Sequence, residues 1–123
     1  TMTSGANTIP AMSSATTSTK GVGQFGMNLK ANTSSAASTF PGSSAEIAPA
    51  SDGVDFRGQA TAGYNTVDTF KFVSGDTVAN SANGGAGPTN SQIYTASYIV
   101  NVAGNQLAGT YTSTLTYICT PTF

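Results

Sequence analysis

Hydrophobic and polar residues alternate with a period of two in several short segments of the chain. In residues 24–31 the large apolar side chains Phe25, Met27 and Leu29 fall on one parity, with small or polar residues between them. Successive side chains of a strand point to opposite faces of a sheet. This segment therefore predicts a half-buried β-strand.

Two later segments show the same period. Residues 93–102 carry bulk on both parities, with Tyr98 and Val100 sharing one of them, which predicts a central strand. Residues 110–116 place threonine at every even position. The odd positions beside this threonine ladder predict a buried face, formed by Tyr111, Leu115, Tyr117 and Cys119.

Between these segments, residues 67–78 predict a β-hairpin. Phe70 and Phe72 precede a Ser-Gly-Asp turn at 74–76, and Val78 follows it. Residues 32–63 are rich in Ser, Ala, Gly and Pro and predict loops with two or three short strands, and the Gly-, Asn- and Pro-rich residues 81–91 predict a long surface loop. No window has the 3.6-residue apolar period of a helix.

Short strands separated by turns predict an all-β protein, with a single Ig-like or jelly-roll-like β-sandwich as the architecture. Residues 1–20 are expected to form an extended N-terminal arm, and residues 21–123 the sandwich domain. The expected core residues are Phe25, Met27, Leu29, Phe70, Phe72, Tyr98, Tyr111, Leu115, Tyr117 and Cys119.

The composition changes this picture in one respect, because charge is nearly absent. Charged residues make up 7% of the chain and the net charge is −1, against about 25% charged residues in an ordinary globular protein. So neutral a surface favours association with further copies.

Four basic residues cannot follow a phosphate backbone, so nucleic acid is not an expected partner. No apolar run is long enough to predict a transmembrane helix.

Candidate chemistry is sparse. The chain has no histidine, which argues against the usual metal sites and catalytic triads. Asp52 and Asp55 are the closest carboxylates and are interpreted as turn residues. Cys119 has no histidine to activate it and is interpreted as a buried apolar residue, with pairing to a neighbouring subunit as the alternative. The chain is therefore not expected to be an enzyme or to bind a cofactor or metal, although Asn32 fits a glycosylation acceptor in Asn-Thr-Ser.

The segment AGTYTSTLTYICTP, residues 108–121, resembles the last strand of WxL-type bacterial cell-surface domains and of pilin-like secreted β-sandwiches. FGMNLKANT, FKFVSGDTVA and YTASYIVNV are also similar to secreted proteins that carry this strand. Tyr117 stands where the WxL pattern has tryptophan, and this departure argues against the peptidoglycan attachment that is associated with those domains. The resemblance implies a secreted sandwich, and Tyr111 resembles a tyrosine corner.

These observations predict a structural subunit of an extracellular, pilus-like filament or surface layer. The composition and a first residue that is threonine predict secretion, to the cell surface or beyond. Copies of the chain are the expected partners, assembled through β-sheet contacts. Strand donation by the N-terminal arm is the expected contact, with Met2, Ile9 and Met12 as its apolar plugs.

The alternative is a carbohydrate-binding or adhesive module displayed on a surface and in contact with polysaccharide or cell wall. Tyr64 or Tyr94 would stack on sugar rings, and the polar loop at 81–91 would bond sugar hydroxyls. A polymer subunit and such a module differ in size, because the first sediments as an assembly and the second as a small species.

Overall fold

The computed structural model of the protein describes residues 1–29, 58–81 and 96–121. Within these ranges the chain forms strands, turns and extended segments and no helix, so the predicted all-β class is confirmed. The strands are β1 (Met2–Ser4), β2 (Asn7–Ile9), β3 (Thr16–Thr17), β4 (Gln24–Asn28), β5 (Gly58–Ala60), β6 (Thr69–Phe70), β7 (Ala79–Ser81) and β8 (Ser97–Asn101). Asn32, Asp52, Asp55 and Tyr94 lie outside the described residues.

Antiparallel pairing joins these strands as β1–β2, β3–β6, β4–β8 and β5–β7. Strand β4 has hydrogen-bonding partners on both edges. Along one edge it pairs with β8, with Met27 opposite Tyr98. Along the other edge, the Phe25 N–H donates to the Pro10 carbonyl at 2.9 Å, and Met27 exchanges two 3.0 Å bonds with Lys71. Strand β4 is therefore bonded along both edges, to β8 through a five-residue ladder and to residues 10–12 and Lys71 through isolated bridges.

The core lies against the parity of β4 that the sequence marks as apolar. Met27 and Leu29 pack with Ala60 and Tyr64 in one buried cluster, and the Leu29 N–H donates to the Tyr64 carbonyl at 2.9 Å. Phe72, Val78 and Ala79 cover this cluster. Of the expected core residues, Phe25, Met27, Leu29 and Phe70 are buried, while Phe72 is half-buried with its ring centroid 5.0 Å from that of Phe25.

The opposite parity of β4 is buried as well, and it holds a glycine. A Cβ on Gly26 would lie 2.8 Å from the Met12 sulfur and 3.0 Å from the Phe70 Cβ. Carbon atoms do not approach so closely without displacing one another. The missing side chain at Gly26 therefore lets Met12 and Phe70 close over this face.

Asn28 is the buried polar residue of β4, with no exposed surface. Its Nδ2 donates to the Thr69 carbonyl at 3.0 Å and to the Thr66 carbonyl at 3.4 Å. Between these two carbonyls Asp68 has a φ of 59°, a left-handed conformation that aspartate tolerates better than most residues. The Asn28 amide thus holds a tight turn against the central strand.

The first twelve residues fold back on their own chain. β1 and β2 form a hairpin in which Met2 lies opposite Ile9, and Gly5 supplies the left-handed φ of 58° that the turn requires. On the outer edge of β1, Thr3 exchanges two 3.0 Å backbone bonds with Thr112. Among the described residues, this stretch of the expected arm is a folded part of the molecule.

The hairpin predicted for residues 67–78 is only partly present. Its turn exists, because the Asp76 N–H donates to the Val73 carbonyl at 3.3 Å and Gly75 takes a φ of 88°. The two arms, however, pair with other segments: β6 with β3, and the Val78 carbonyl with the Thr61 N–H at 3.0 Å. A tight turn therefore does not ensure that the two segments flanking it pair with each other.

Replacing Gly26 with alanine is expected to destabilise the fold by about 1–3 kcal/mol, because the new methyl group overlaps the Met12 sulfur and crowds the Phe70 Cβ. Urea unfolding followed by circular dichroism measures the change. Gly104 is the matched control, since a Cβ there meets no atom within 4 Å. Equal midpoints for Gly26→Ala and Gly104→Ala would contradict the close packing inferred at Gly26.

Replacing Asn28 with aspartate is expected to cost roughly 2–3 kcal/mol or more, because a buried carboxylate would face two carbonyl oxygens in place of an N–H donor. Asn105→Asp, at an exposed turn position, should change stability by less than about 0.5 kcal/mol. A loss for Asn28→Asp no larger than that of the control, measured by the same unfolding experiment, would show that the amide does not hold the turn.

Candidate assembly surface

The expected donor residues lie within their own chain. Ile9 and Met12 are buried, and Met2 is half-buried opposite Ile9. Residues 10–12 run beside β4, where the Met12 N–H donates to the Phe25 carbonyl at 2.9 Å, and the Met12 carbonyl accepts from the Phe72 N–H at 2.7 Å. The sheet position that the sequence suggests for a neighbouring subunit's arm is therefore filled by the same segment of the same chain.

The outer edge of β8, named here the β8 edge, has no partner strand among the residues that the structure describes. Phe25 and Met27 direct their backbone groups away from β8, so the residues opposite them, Val100 and Tyr98, form non-hydrogen-bonded pairs. The N–H and C=O groups of Tyr98 and Val100 accordingly point outward. Among the described residues they have no backbone partner.

The side chains along the β8 edge are apolar and exposed, in contrast to the expectation that Tyr98 lies in the core. Tyr98 is 42% exposed, Val100 48% and Val102 56%. Tyr98 and Val100 share a sheet face with the buried Met27 and Phe25. Because β8 has β4 on one side only, within the described part of the chain, its apolar parity is covered on that side alone.

Residues 113–121, named here the 113–121 segment, form no helix, turn or bend and pair with no described strand. Among the described residues, Thr112, which bonds to Thr3 of β1, is the last residue of the chain that forms a backbone–backbone hydrogen bond. Leu115 is half-buried, but Tyr117 is 57% exposed and Cys119 is an exposed thiol, so the expected burial of these two side chains does not hold. Ile118, on the threonine parity, is 85% exposed. The threonines from 110 to 116 face solvent.

One side chain ties this segment to the sheet. The Tyr117 hydroxyl makes a hydrogen bond with the Tyr98 hydroxyl and lies 3.5 Å from the Met27 sulfur. Burial of the hydroxyl and the bond to Tyr98 raise the pKa of Tyr117 well above its ordinary value. The tip of Tyr117 thus anchors the segment on the face of β4 and β8, while the residues that follow it stay exposed.

Tyr111 holds the base of the segment. Its hydroxyl donates to the Leu107 carbonyl at 2.8 Å, the bond to upstream backbone expected of a tyrosine corner. The Gln106 side-chain amide donates to the same hydroxyl at 2.6 Å and to the Thr8 carbonyl at 3.3 Å. Gly109 passes so close to Ser4 that a Cβ would lie 2.5 Å from its Oγ. These contacts fix the position of residues 109–111, from which the 113–121 segment continues.

Tyr64, proposed from the sequence as a sugar-stacking residue, is 1% exposed. Its hydroxyl donates to Asp76 at 2.9 Å, and Lys71 Nζ lies 2.6 Å from the same carboxylate oxygen and 5.4 Å from the Tyr64 ring centroid. Burial and the bond to Asp76 raise the pKa of Tyr64 to about 12. Its ring is therefore part of the core and cannot stack on a ligand.

Charge is distributed unevenly along the chain. The sequence has no Asp, Glu, Lys or Arg after Asp76, so β8 and the 113–121 segment carry no charged side chain. Lys71 and Asp76 form an ion pair with each other. In the ranges 1–29, 58–81 and 96–121, no group of three or more His, Cys, Asp or Glu side chains is placed to hold a metal ion, and no helix is long and apolar enough to cross a bilayer.

Comparisons with protein-family models, with curated proteins and with solved structures find no match for this chain. The resemblance to WxL-type and pilin-like domains accordingly stays a prediction from the residues that carry it.

Sequence reasoning located β8 but missed its open edge. The signal that could have indicated this edge is the absence of charge from Thr77 onward, because natural edge strands are commonly protected by lysine or other charges. A strand without such protection is either central or intended for pairing. The sequence alone does not distinguish these two cases.

The Lys71–Asp76 pair predicts how stability depends on pH. Hydrogen bonds from Lys71 and Tyr64 hold the pKa of the Asp76 carboxyl below its ordinary value. A carboxyl with a lowered pKa contributes stability above its unfolded pKa of about 4, and this contribution is lost as the pH falls through the folded pKa. Unfolding free energies measured from about pH 6 to about pH 2 should therefore fall more steeply for the wild type than for Asp76→Asn. Parallel curves would show that the pair contributes nothing.

Proposed function

We propose that this protein is a structural subunit of an extracellular filament or surface layer, assembled through β-sheet contacts between copies. The observation that carries the proposal is the β8 edge. It combines outward-pointing backbone groups at Tyr98 and Val100 with exposed apolar side chains and no charge. Such an edge is a template for pairing with another chain.

Among the described residues, nothing supplies the β8 edge with the protections that keep other edges unpaired. Natural edge strands carry lysine, proline or a bulge, or are covered by a helix or loop. Residues 96–103 contain no proline and no charged residue, and β8 keeps an unbroken five-residue register with β4. In a protein selected to remain monomeric, these features would be a liability. In an assembling subunit they are the contact.

The weak charge of the whole chain supports the same function. With a net charge of −1, copies repel one another little. The Lys71–Asp76 pair, moreover, is satisfied within the subunit. Assembly would therefore depend on apolar burial and backbone hydrogen bonds, both of which tolerate a wide range of ionic strength.

The finer architecture that we propose for the subunit is an Ig-like or jelly-roll-like sandwich. One sheet is centred on β4, with β8 on one edge and residues 10–12 on the other. The hairpin β1–β2, extended by Thr112, would belong to a second sheet. Display outside the cell is part of this proposal and rests on the composition, which is rich in Ser, Thr, Gly and Ala and poor in charge.

A carbohydrate-binding module is the weaker proposal, because no described aromatic residue is arranged as a sugar platform. Tyr64 is buried, and Tyr98 and Tyr117 are joined through their hydroxyls. Tyr111 is held by Leu107 and Gln106.

Purified protein is expected to form fast-sedimenting assemblies as its concentration rises, and these should appear as filaments or sheets in negative-stain electron microscopy. Because the contact carries no charge, the assembled fraction should change little between about 20 mM and about 500 mM NaCl, whereas ionic contacts weaken over this range. A species that stays monomeric at every concentration would overturn the proposal. Monomers retained on a polysaccharide column would favour the binding module instead.

A further inference from the structure

We propose that the 113–121 segment of one copy adds as a strand to the β8 edge of the next copy. This inference rests on the proposed function and specifies its contact. It replaces the donor expected from the sequence, because the residues near Ile9 and Met12 already fill a strand position within their own chain.

The 113–121 segment has the properties of a donor strand. It forms no helix, turn or bend, and its backbone N–H and C=O groups bond to no described residue of its own chain. Its side chains alternate, with Leu115, Tyr117 and Cys119 on one parity and threonines on the other. Ile118, 85% exposed, adds apolar surface that is uncovered in the single chain. Pairing with a sheet would satisfy the backbone groups and bury this surface.

The β8 edge has the matching properties of an acceptor. Tyr98 and Val100 direct their backbone groups outward. Their side chains form an exposed apolar row that continues to Val102. In strand addition, main-chain hydrogen bonds supply affinity while alternate side chains meet apolar surface. Neither partner carries a charge, so pairing buries no ion.

Within one chain, the two elements touch without pairing. The Tyr117 hydroxyl rests on Tyr98 and Met27, on a face of the sheet. No backbone bond joins the 113–121 segment to β8. The segment is therefore anchored beside the sheet, and its backbone is left for a second copy.

A contact between one element and a different element of the next copy is heterologous. After two copies bind, the pair keeps one unused segment and one unused edge, so the contact repeats and builds a filament unless the rotation closes a ring. Pairing of two β8 edges would instead be isologous and would stop at a dimer.

Two variants test the β8 edge and the 113–121 segment separately. Val100→Lys places a charge on the β8 edge and leaves the 113–121 segment unchanged. Ser113→Pro with Thr116→Pro removes one N–H of each parity from the segment, at exposed positions that make no hydrogen bond with any described residue. Each variant alone should raise the concentration needed for assembly about tenfold or more, as measured by sedimentation.

The chain offers a matched control for each variant. Val22 is 47% exposed, against 48% for Val100, and lies in a turn, so Val22→Lys tests the charge alone. Ser74 precedes Gly75 in the 73–76 turn, where proline is favoured, so Ser74→Pro tests a proline away from the contact. Both controls should assemble like the wild type. Circular dichroism and thermal unfolding check that all four variants are folded.

Mixing the two assembly variants gives the sharpest test. The Val100→Lys chain keeps an intact segment, and the double proline chain keeps an intact edge. An equimolar mixture should therefore form one-to-one dimers and no longer species, while each variant alone stays monomeric. A mixture that remains monomeric, or a wild type that assembles no better than its variants, would overturn this inference. Assembly by the wild type would still support the proposed function, and its absence would remove both.

Cys119 provides an independent readout, because it is the single cysteine of the chain and is exposed. Its reaction with a maleimide should be about tenfold slower in the wild-type assembly than in the dispersed Val100→Lys chain, since pairing covers the segment. Equal labelling rates in assembled and dispersed protein would show that the segment is not in the contact, even where assembly itself occurs.

Discussion

Hydrogen bonding along both edges of β4 is the constraint on which the other described elements depend. Apart from β4 and its partner β8, the described strands have only two or three residues, and a two-stranded pair by itself is marginally stable in water. Strand β4 brings together segments far apart in the chain: residues 10–12, Lys71 and β8. Because both of its faces are buried, the same strand organises the cluster around Met27 and the packing of Met12 over Gly26.

This arrangement determines where an unpaired edge can lie. Because β4 is bonded on both sides, the backbone groups of this sheet that have no partner among the described residues are those of Tyr98 and Val100, on the outer edge of β8. Thr112 forms one bridge with Thr3 of the β1–β2 hairpin, and the 113–121 segment that follows pairs with no described strand. An open edge and an extended segment in one molecule are complementary in hydrogen bonding, and both are uncharged. The proposed assembly follows from these two consequences of a single central strand.

Sequence periodicity succeeded where a strand is covered on both sides. Phe25, Met27 and Leu29 were predicted as core residues and are buried, because the alternation in β4 is strict and neighbours close over both faces. It failed where burial depends on a neighbour: Tyr98 and Tyr117 have the composition of core residues but lie at the outside of the described structure. The interpretation of Ile9 and Met12 as intermolecular plugs had the same weakness. An apolar pattern indicates that a side chain is buried, but it does not indicate whether the same chain or a neighbouring copy buries it.

The sequence by itself determined the all-β class, the position of β4, the turn at residues 73–76 and the neutral surface, because these follow from local periodicity, turn chemistry and composition. Only the tertiary structure decided which strands pair, that Tyr64 is buried beneath Lys71 and Asp76, and that one edge and one segment have no backbone partner within residues 1–29, 58–81 and 96–121. The physical reason is that pairing satisfies backbone groups, which are the same in every residue except proline. The choice of partner therefore depends on which segments the core brings together.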